Sequence, residues 1–200
     1  MRIPWHLCII ATVAWAGGEP PPASTLGVVS EQALGEASRL RDDLVRRARR
    51  GAWPGVEDTY LKLGELGVPL AAGDHQLGAQ AALVAGEPWQ AYQRLVRALQ
   101  VDAEAPEVRE MMRDLRARFG RLTVRRVEAS PIELTQDEPP FAPDERAAVL
   151  YAAERLQATG GFDGMVPIGR YRLGSRDIEV VPGLKALVVQ RETGDSASAP

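Results

Sequence analysis

Between Glu31 and Phe119 the apolar positions recur at spacings of three and four, the signature of one buried helical face. Leu34, Ala37, Leu40, Leu44 and Ala48 form the first such stripe, which Gly51 ends. Trp53, Val56, Tyr60 and Leu63 form a second, closed near Gly64 to Gly67. Ala79, Ala82 and Leu83 mark a third helix ending at Gly86, and Ala91, Leu95, Ala98 and Leu99 a fourth. Val108, Met111, Met112, Leu115 and Phe119 mark a fifth, with Pro106 in its first turn, where its missing N–H costs nothing.

After Gly120 the period shortens to two. Leu122, Val124 and Val127 alternate with polar residues and predict a strand, and Ile132-Glu133-Leu134-Thr135 predicts another. Pro143-Asp144-Glu145 opens a helix over 144–158, stopped by Gly160-Gly161. Pro167-Ile168-Gly169 turns into a hairpin built on Tyr171 and Leu173, then Ile178, Val180 and Val181. Pro182-Gly183 turns once more, into a strand from Ala186 to Val189. The expected fold class is therefore α+β, with antiparallel helical hairpins followed by a small antiparallel β domain carrying one inserted helix.

The two ends of the chain read differently. Met1-Arg2, the mostly apolar run Ile3 to Ala16 and the small-x-small pattern Ala14-Trp15-Ala16 have the layout of a secretory signal peptide over 1–16. The apolar run is too short to span a bilayer core of about 30 Å as a helix. Cys8 is preceded by Trp5-His6-Leu7, not by the small residues of a lipoprotein cleavage site, so lipidation is not expected. Residues 17–30 form a Pro-rich linker, and residues 192–200 are expected to be a disordered tail. The expected folded units are thus a helical domain over 31–119 and a β-rich domain over 120–191, in a chain secreted or periplasmic and without stable membrane insertion after signal cleavage.

The breaks between helices recur. Gly51 and Gly86 are 35 residues apart, Gly120 follows 34 later, and Trp53 and Trp89 are 36 apart. Such a period, with two helices per unit, suggests a helical-hairpin solenoid. Gly86-Glu87-Pro88-Trp89-Gln90-Ala91, followed by Leu95, Ala98-Leu99 and Asp102, resembles the second-helix pattern of the tetratricopeptide (TPR) repeat family. Gly51, Val56, Tyr60 and Leu63 repeat part of it, while Ala103 stands where that family prefers proline. The resemblance covers about two and a half repeats. It implies that the first helix of each hairpin lines a groove, so that Arg41, Val45, Arg49, Gln76 and Gln80 would face a protein or peptide partner. Further on, Pro167-x-Gly169-Arg170-Tyr171-x-Leu173 and Pro182-Gly183 are similar to PEGA-type β modules of bacterial envelope proteins. The Pro-Glu-Gly-Ala tetrapeptide itself is absent, with Glu128-Ala129-Ser130-Pro131 in its neighbourhood.

Composition narrows the chemistry. The net charge is −3, which provides no global field toward nucleic acid. Cys8 and His6 fall within the signal segment, so the mature chain would keep His75 alone and no thiol. A Cys/His zinc site, a disulfide and a cysteine nucleophile are thereby excluded, and no cofactor is expected. No phosphate-loop or nucleophile-elbow motif is present, and the chain contains no asparagine. Arginine outnumbers lysine 22 to 2, a bias read as genomic base composition. Arg46-Arg47-x-Arg49-Arg50 is the densest basic run; it suits phosphate, anionic lipid or an acidic peptide, or else simply complements the negative end of a helix. His75, just after Asp74, is expected to pack or cap and not to act as a base. Adjacent carboxylate pairs such as Asp42-Asp43, Glu57-Asp58 and Asp144-Glu145 diverge by roughly 100° on a helix, so neither member helps the other on one substrate.

The functional expectation is a non-enzymatic adaptor of the cell envelope, binding a protein partner through a helical-repeat groove. Two alternatives stay open: a hydrolase of cell-wall glycan or peptide that works through carboxylates, which needs one acid of raised pKa in a pocket, and a structural periplasmic spacer without a specific groove.

Overall fold

The structure, a computed structural model, describes residues 30–125, 134–136, 140 and 142–190. The expected signal segment, the linker up to residue 29, Val127, Ile132, Glu133 and the C-terminal tail lie outside the described residues.

The N-terminal part consists of five helices: α1 (Glu31–Arg49), α2 (Trp53–Glu65), α3 (Ala72–Val84), α4 (Pro88–Val101) and α5 (Pro106–Arg118). Local chemistry sets their ends. Ser30 caps α1, its Oγ accepting from the Ala33 N–H at 3.1 Å, and Arg46, Arg47 and Arg49 crowd the negative end. Proline occupies the first turn of α2, α4 and α5. Consecutive helices pack as hairpins, α1 against α2 and α3 against α4, with α2 on α3 and α4 on α5. Leu44, Leu63, Leu95 and Leu115 are fully buried between them, each contributing roughly 1.5–3 kcal/mol over an exposed position. Helix α3 is apolar almost all round, because α1, α2, α4 and an additional helix (below) all contact it. Its alanines let those neighbours approach closely.

The C-terminal part holds β1 (Phe119–Arg125), β2 (Leu134–Gln136), α6 (Pro143–Thr159), β3 (Phe162–Pro167), β4 (Gly169–Leu173), β5 (Arg176–Val180) and β6 (Gly183–Gln190). Together the two parts make an α+β fold with the helices first, as the change of period predicts. The strands form two three-stranded sheets, ordered β3-β1-β6 and β2-β4-β5. All pairs are antiparallel except β1 with β6, which run parallel with Leu122 opposite Leu187 and Val124 opposite Val189. A parallel neighbour is possible because the whole segment between the two strands, α6 included, serves as the return connection. Helix α6 starts with Pro143, Asp144 and Glu145 and stops at Gly160, whose φ of 67° is left-handed. It packs by Ala152 and Leu156 onto a cluster with Leu122, Val166, Tyr171 and Val180.

The helical part and the β part share a core. Ala79, Ala82, Ala91 and Leu95 of the hairpins sit in one buried cluster with Phe119, Ala148 and Met165. Gly86, in the turn between α3 and α4, makes that contact possible. Its φ is +81°, and a Cβ there would lie 2.4 Å from the Ala147 carbonyl oxygen of α6. Arg118, the last residue of α5, then ties the seam from outside. It donates to Glu145 at 2.9 Å, Asp144 at 2.5 Å and Asp114 at 3.0 Å. Those carboxylates push the Arg118 pKa upward, outweighing the opposing effect of burial.

Candidate functional site

The five residues expected to face a partner are placed as follows. Arg41 donates through Nε to Asp74 Oδ2 at 3.0 Å and through Nη2 to the Pro69 carbonyl at 2.7 Å, so its guanidinium braces α1 against the start of α3. Asp74 also accepts from the Ala71 N–H at 2.9 Å, closing the first turn of α3. Leu44 and Ala48 share a buried cluster with Leu77 and Ala81, so α1 and α3 lie side by side. Val45 and Arg49 are exposed, whereas Gln76 and Gln80 are half-buried. No hydrogen bond joins any two of these five among the described residues. Within the basic run, Arg46 and Arg47 both donate to Asp43 at 2.6 Å and hold its carboxyl below the ordinary range.

A polar network lies inside the hairpins. Arg94 of α4 is only 4% exposed. Its two terminal nitrogens donate to both carboxylate oxygens of Glu57 at 2.5 and 2.6 Å, to the Gly78 carbonyl at 2.7 Å and to Gln90 Oε1 at 2.6 Å. The guanidinium also lies 4.4 Å from the Tyr60 ring centroid. The Tyr60 hydroxyl and His75 Nδ1 share a hydrogen bond of 2.9 Å. Burial lowers the His75 pKa, with Arg97 and Arg94 adding to the effect against Asp74, so the ring is neutral at pH 7. His75 therefore packs, as its position beside Asp74 suggests. A Cβ on Gly78 would sit 2.7 Å from the Tyr60 ring, so this contact requires glycine. The network pairs the terminal N–H groups of Arg94 and the Tyr60 hydroxyl within the fold, which gives it a structural role.

A second constellation reaches the surface, with Arg116 exposed and Trp89, Tyr92 and Arg121 half-buried. Arg121 of β1 lies 3.9 Å over the Trp89 ring, Trp89 stacks on Tyr92 at 5.5 Å with 10° between planes, and Arg116 of α5 lies 5.5 Å over Tyr92. Arg116 also donates to the Tyr92 hydroxyl at 3.2 Å. Asp163 of β3 fixes Arg121 by two bonds of 3.1 Å and accepts from the Thr123 hydroxyl at 2.8 Å. The column runs from α5 across α4 to the sheet and joins the two halves of the chain. Its members come from the fourth and fifth predicted helices and the first predicted strand, and no motif links them in sequence.

Beside this column is a cavity of about 170 Å³, lined among others by Glu87, Gln90, Gln93, Tyr151, Phe162 and Met165, with Trp89 and Asp163 on its margin toward the column. Burial raises the Glu87 pKa, Glu57 raises it further, and Arg94 and Arg155 oppose. Burial and the Glu87 charge likewise raise Tyr151. A wider hollow of about 410 Å³ continues past Tyr151, Phe162 and Asp163 to Arg125 and Arg155.

Among the described residues no group of three or more His, Cys, Asp or Glu is arranged to hold a metal ion, and no helix is long and apolar enough to cross a membrane. No protein-family model matches the chain, and neither the curated proteins nor the solved structures yield a match.

Proposed function

We propose that the chain is a non-enzymatic adaptor of the cell envelope, secreted or periplasmic, that binds a protein partner. The observation that carries this reading is the column Arg116–Tyr92–Trp89–Arg121. Tryptophan, tyrosine and arginine are the residues that dominate binding energy at protein interfaces. Here they are held in place before any partner arrives, so little ordering entropy is lost on binding. Arginines at the ends favour a partner segment bearing carboxylates. The contact surface so proposed differs from the α1 and α3 positions that the TPR resemblance implies, since Arg41 is engaged within the fold. Val45 and Arg49 remain available as a second, weaker face.

A photocrosslinking residue in place of the exposed Gln93 tests the reading. The expected result in the native envelope is one discrete adduct, lost in Trp89→Ala and in Arg116→Glu and kept in Arg49→Glu. An adduct unaffected by both column variants, in proteins whose circular dichroism is unchanged, rejects the column as the interface.

One observation favours a second reading. Glu87, raised in pKa, and Asp163, ion-paired with Arg121, line the same cavity. Two carboxylates in contrasting environments suit the acid and base of a glycan hydrolase. Release of soluble fragments from purified cell wall, abolished by Glu87→Gln, would establish it. An inert wild-type protein would dismiss it.

A further inference from the structure

The cavity beside Glu87 holds more information than its size. Of the arginines around it, Arg94 and Arg121 are already neutralised, while Arg155 acts on Glu87 without an ion pair to it. Arg94 is bound by Glu57, Gly78 and Gln90, and Arg121 by Asp163. The Glu87 carboxylate accepts no hydrogen bond and no ion pair among the described residues, so its oxygens are free to meet a donor from outside. Pro88, Phe162 and Met165 supply an apolar floor, while Tyr151 and Gln93 stand at the side. A cavity with an apolar floor on one side and a carboxylate lacking a direct partner on the other suits a methylene chain that carries a positive charge, the geometry in which a long cationic side chain buries its stem.

We infer that the Glu87 cavity binds an alkylammonium group, its methylenes on Phe162 and Met165 and its N–H donors on the Glu87 carboxylate. This chain has only two lysines, Lys62 and Lys185, so the group is expected from another molecule: a lysine side chain of a partner or a small primary amine. The inference does not depend on the adaptor reading, because the cavity would take the group from either source.

Protons compete for the same carboxylate. The charged and titratable groups around Glu87 are Glu57 on α2, Arg94 on its own helix, Arg155 and Tyr151 on α6, and Asp163 on β3 with its partner Arg121. Because the raised pKa favours the protonated acid, affinity for a cation rises with pH through that titration and then levels off.

The test is calorimetric titration of the full chain with n-butylammonium, n-butanol and a short blocked peptide containing one lysine. The expected results are saturable binding of the amine, no comparable binding of the alcohol, and at least about a tenfold loss in Glu87→Gln, as for a hydrogen bond to a charged group. A second expected result, on the wild type, is weaker binding as the pH is lowered. Tighter binding of the peptide than of the amine assigns the group to a protein lysine, and equal binding assigns it to free amines. Absence of saturation, equal affinity for n-butanol, or an affinity independent of both Glu87→Gln and pH overturns the site.

Discussion

Arg94 lies 4.4 Å over the ring of Tyr60, so a cation and an aromatic face share the interior where α2, α3 and α4 meet. Everything else the guanidinium touches is an acceptor: Glu57, the Gly78 carbonyl and Gln90. Truncating it strands several groups at once. Arg94→Ala is expected to lower the unfolding free energy by about 2–4 kcal/mol in urea titrations, since Glu57 and the Gly78 carbonyl lose their donor. Arg94→Met together with Glu57→Gln should cost distinctly less than the two single changes added, because the pair acts as a unit.

Gly86 and Gly51 provide a matched comparison. Both have left-handed φ, +81° and +68°, but only Gly86 faces backbone at 2.4 Å, while Gly51 faces open space. Gly51→Ala should cost about 1 kcal/mol for the backbone conformation alone. Gly86→Ala should cost about 2–4 kcal/mol, the excess coming from displacement of α6. Thermal or urea unfolding of the two variants checks the difference.

Stability should depend on pH in two opposed ways. The folded-state pKa of His75 lies below its ordinary 6.5, so the unfolded chain binds a proton that the folded chain refuses. Stability therefore falls as the pH drops below about 6.5, and His75→Gln should flatten that part of the profile. Glu87 has the opposite sign. Its pKa is raised above 4.5, so its contribution is fully present below that value and is lost as the pH climbs through the folded pKa. Glu87→Gln should then be slightly more stable than wild type at pH 7, read from urea midpoints.

Arg118 is the outer clasp between α5 and α6, and Asp144 and Glu145 stand in the first turn of α6, where negative charge is already favoured. Arg118→Gln should cost about 1–2 kcal/mol, less than the buried Arg94 because this side chain is partly solvated. Amide exchange should quicken first in the opening turn of α6 and hardly change in α1. A uniform acceleration across the chain would contradict the local role.

What the sequence made legible follows from one-dimensional pattern. The stripes Leu34 to Ala48, Val108 to Phe119 and the others mark their helices because one apolar face repeats along a single element. The helix opened by Pro143 and stopped by Gly160 was readable from its capping chemistry alone. Contacts between elements were not. Trp89 and Arg121 are 32 residues apart, and Arg94 and Glu57 are 37 apart, with nothing in either neighbourhood to select the partner. Arg41 illustrates the limit: its place on a helix face is correctly periodic, yet Asp74, which engages it, belongs to a different helix. The parallel pairing of β1 with β6 was hidden likewise, since alternation tells which face a strand buries and not which strand lies beside it.

Phe119 closes α5 and is also the first residue of β1, with no connecting loop between them. A helix and the central strand of a sheet thus form one stiff shaft with no slack at the joint. Adding a single residue between Phe119 and Gly120 would turn Leu122 and Val124 outward and Arg121 and Thr123 inward. Such an insertion would also swing Arg121 off Trp89, so the length of the chain at this point sets the alignment of the aromatic column.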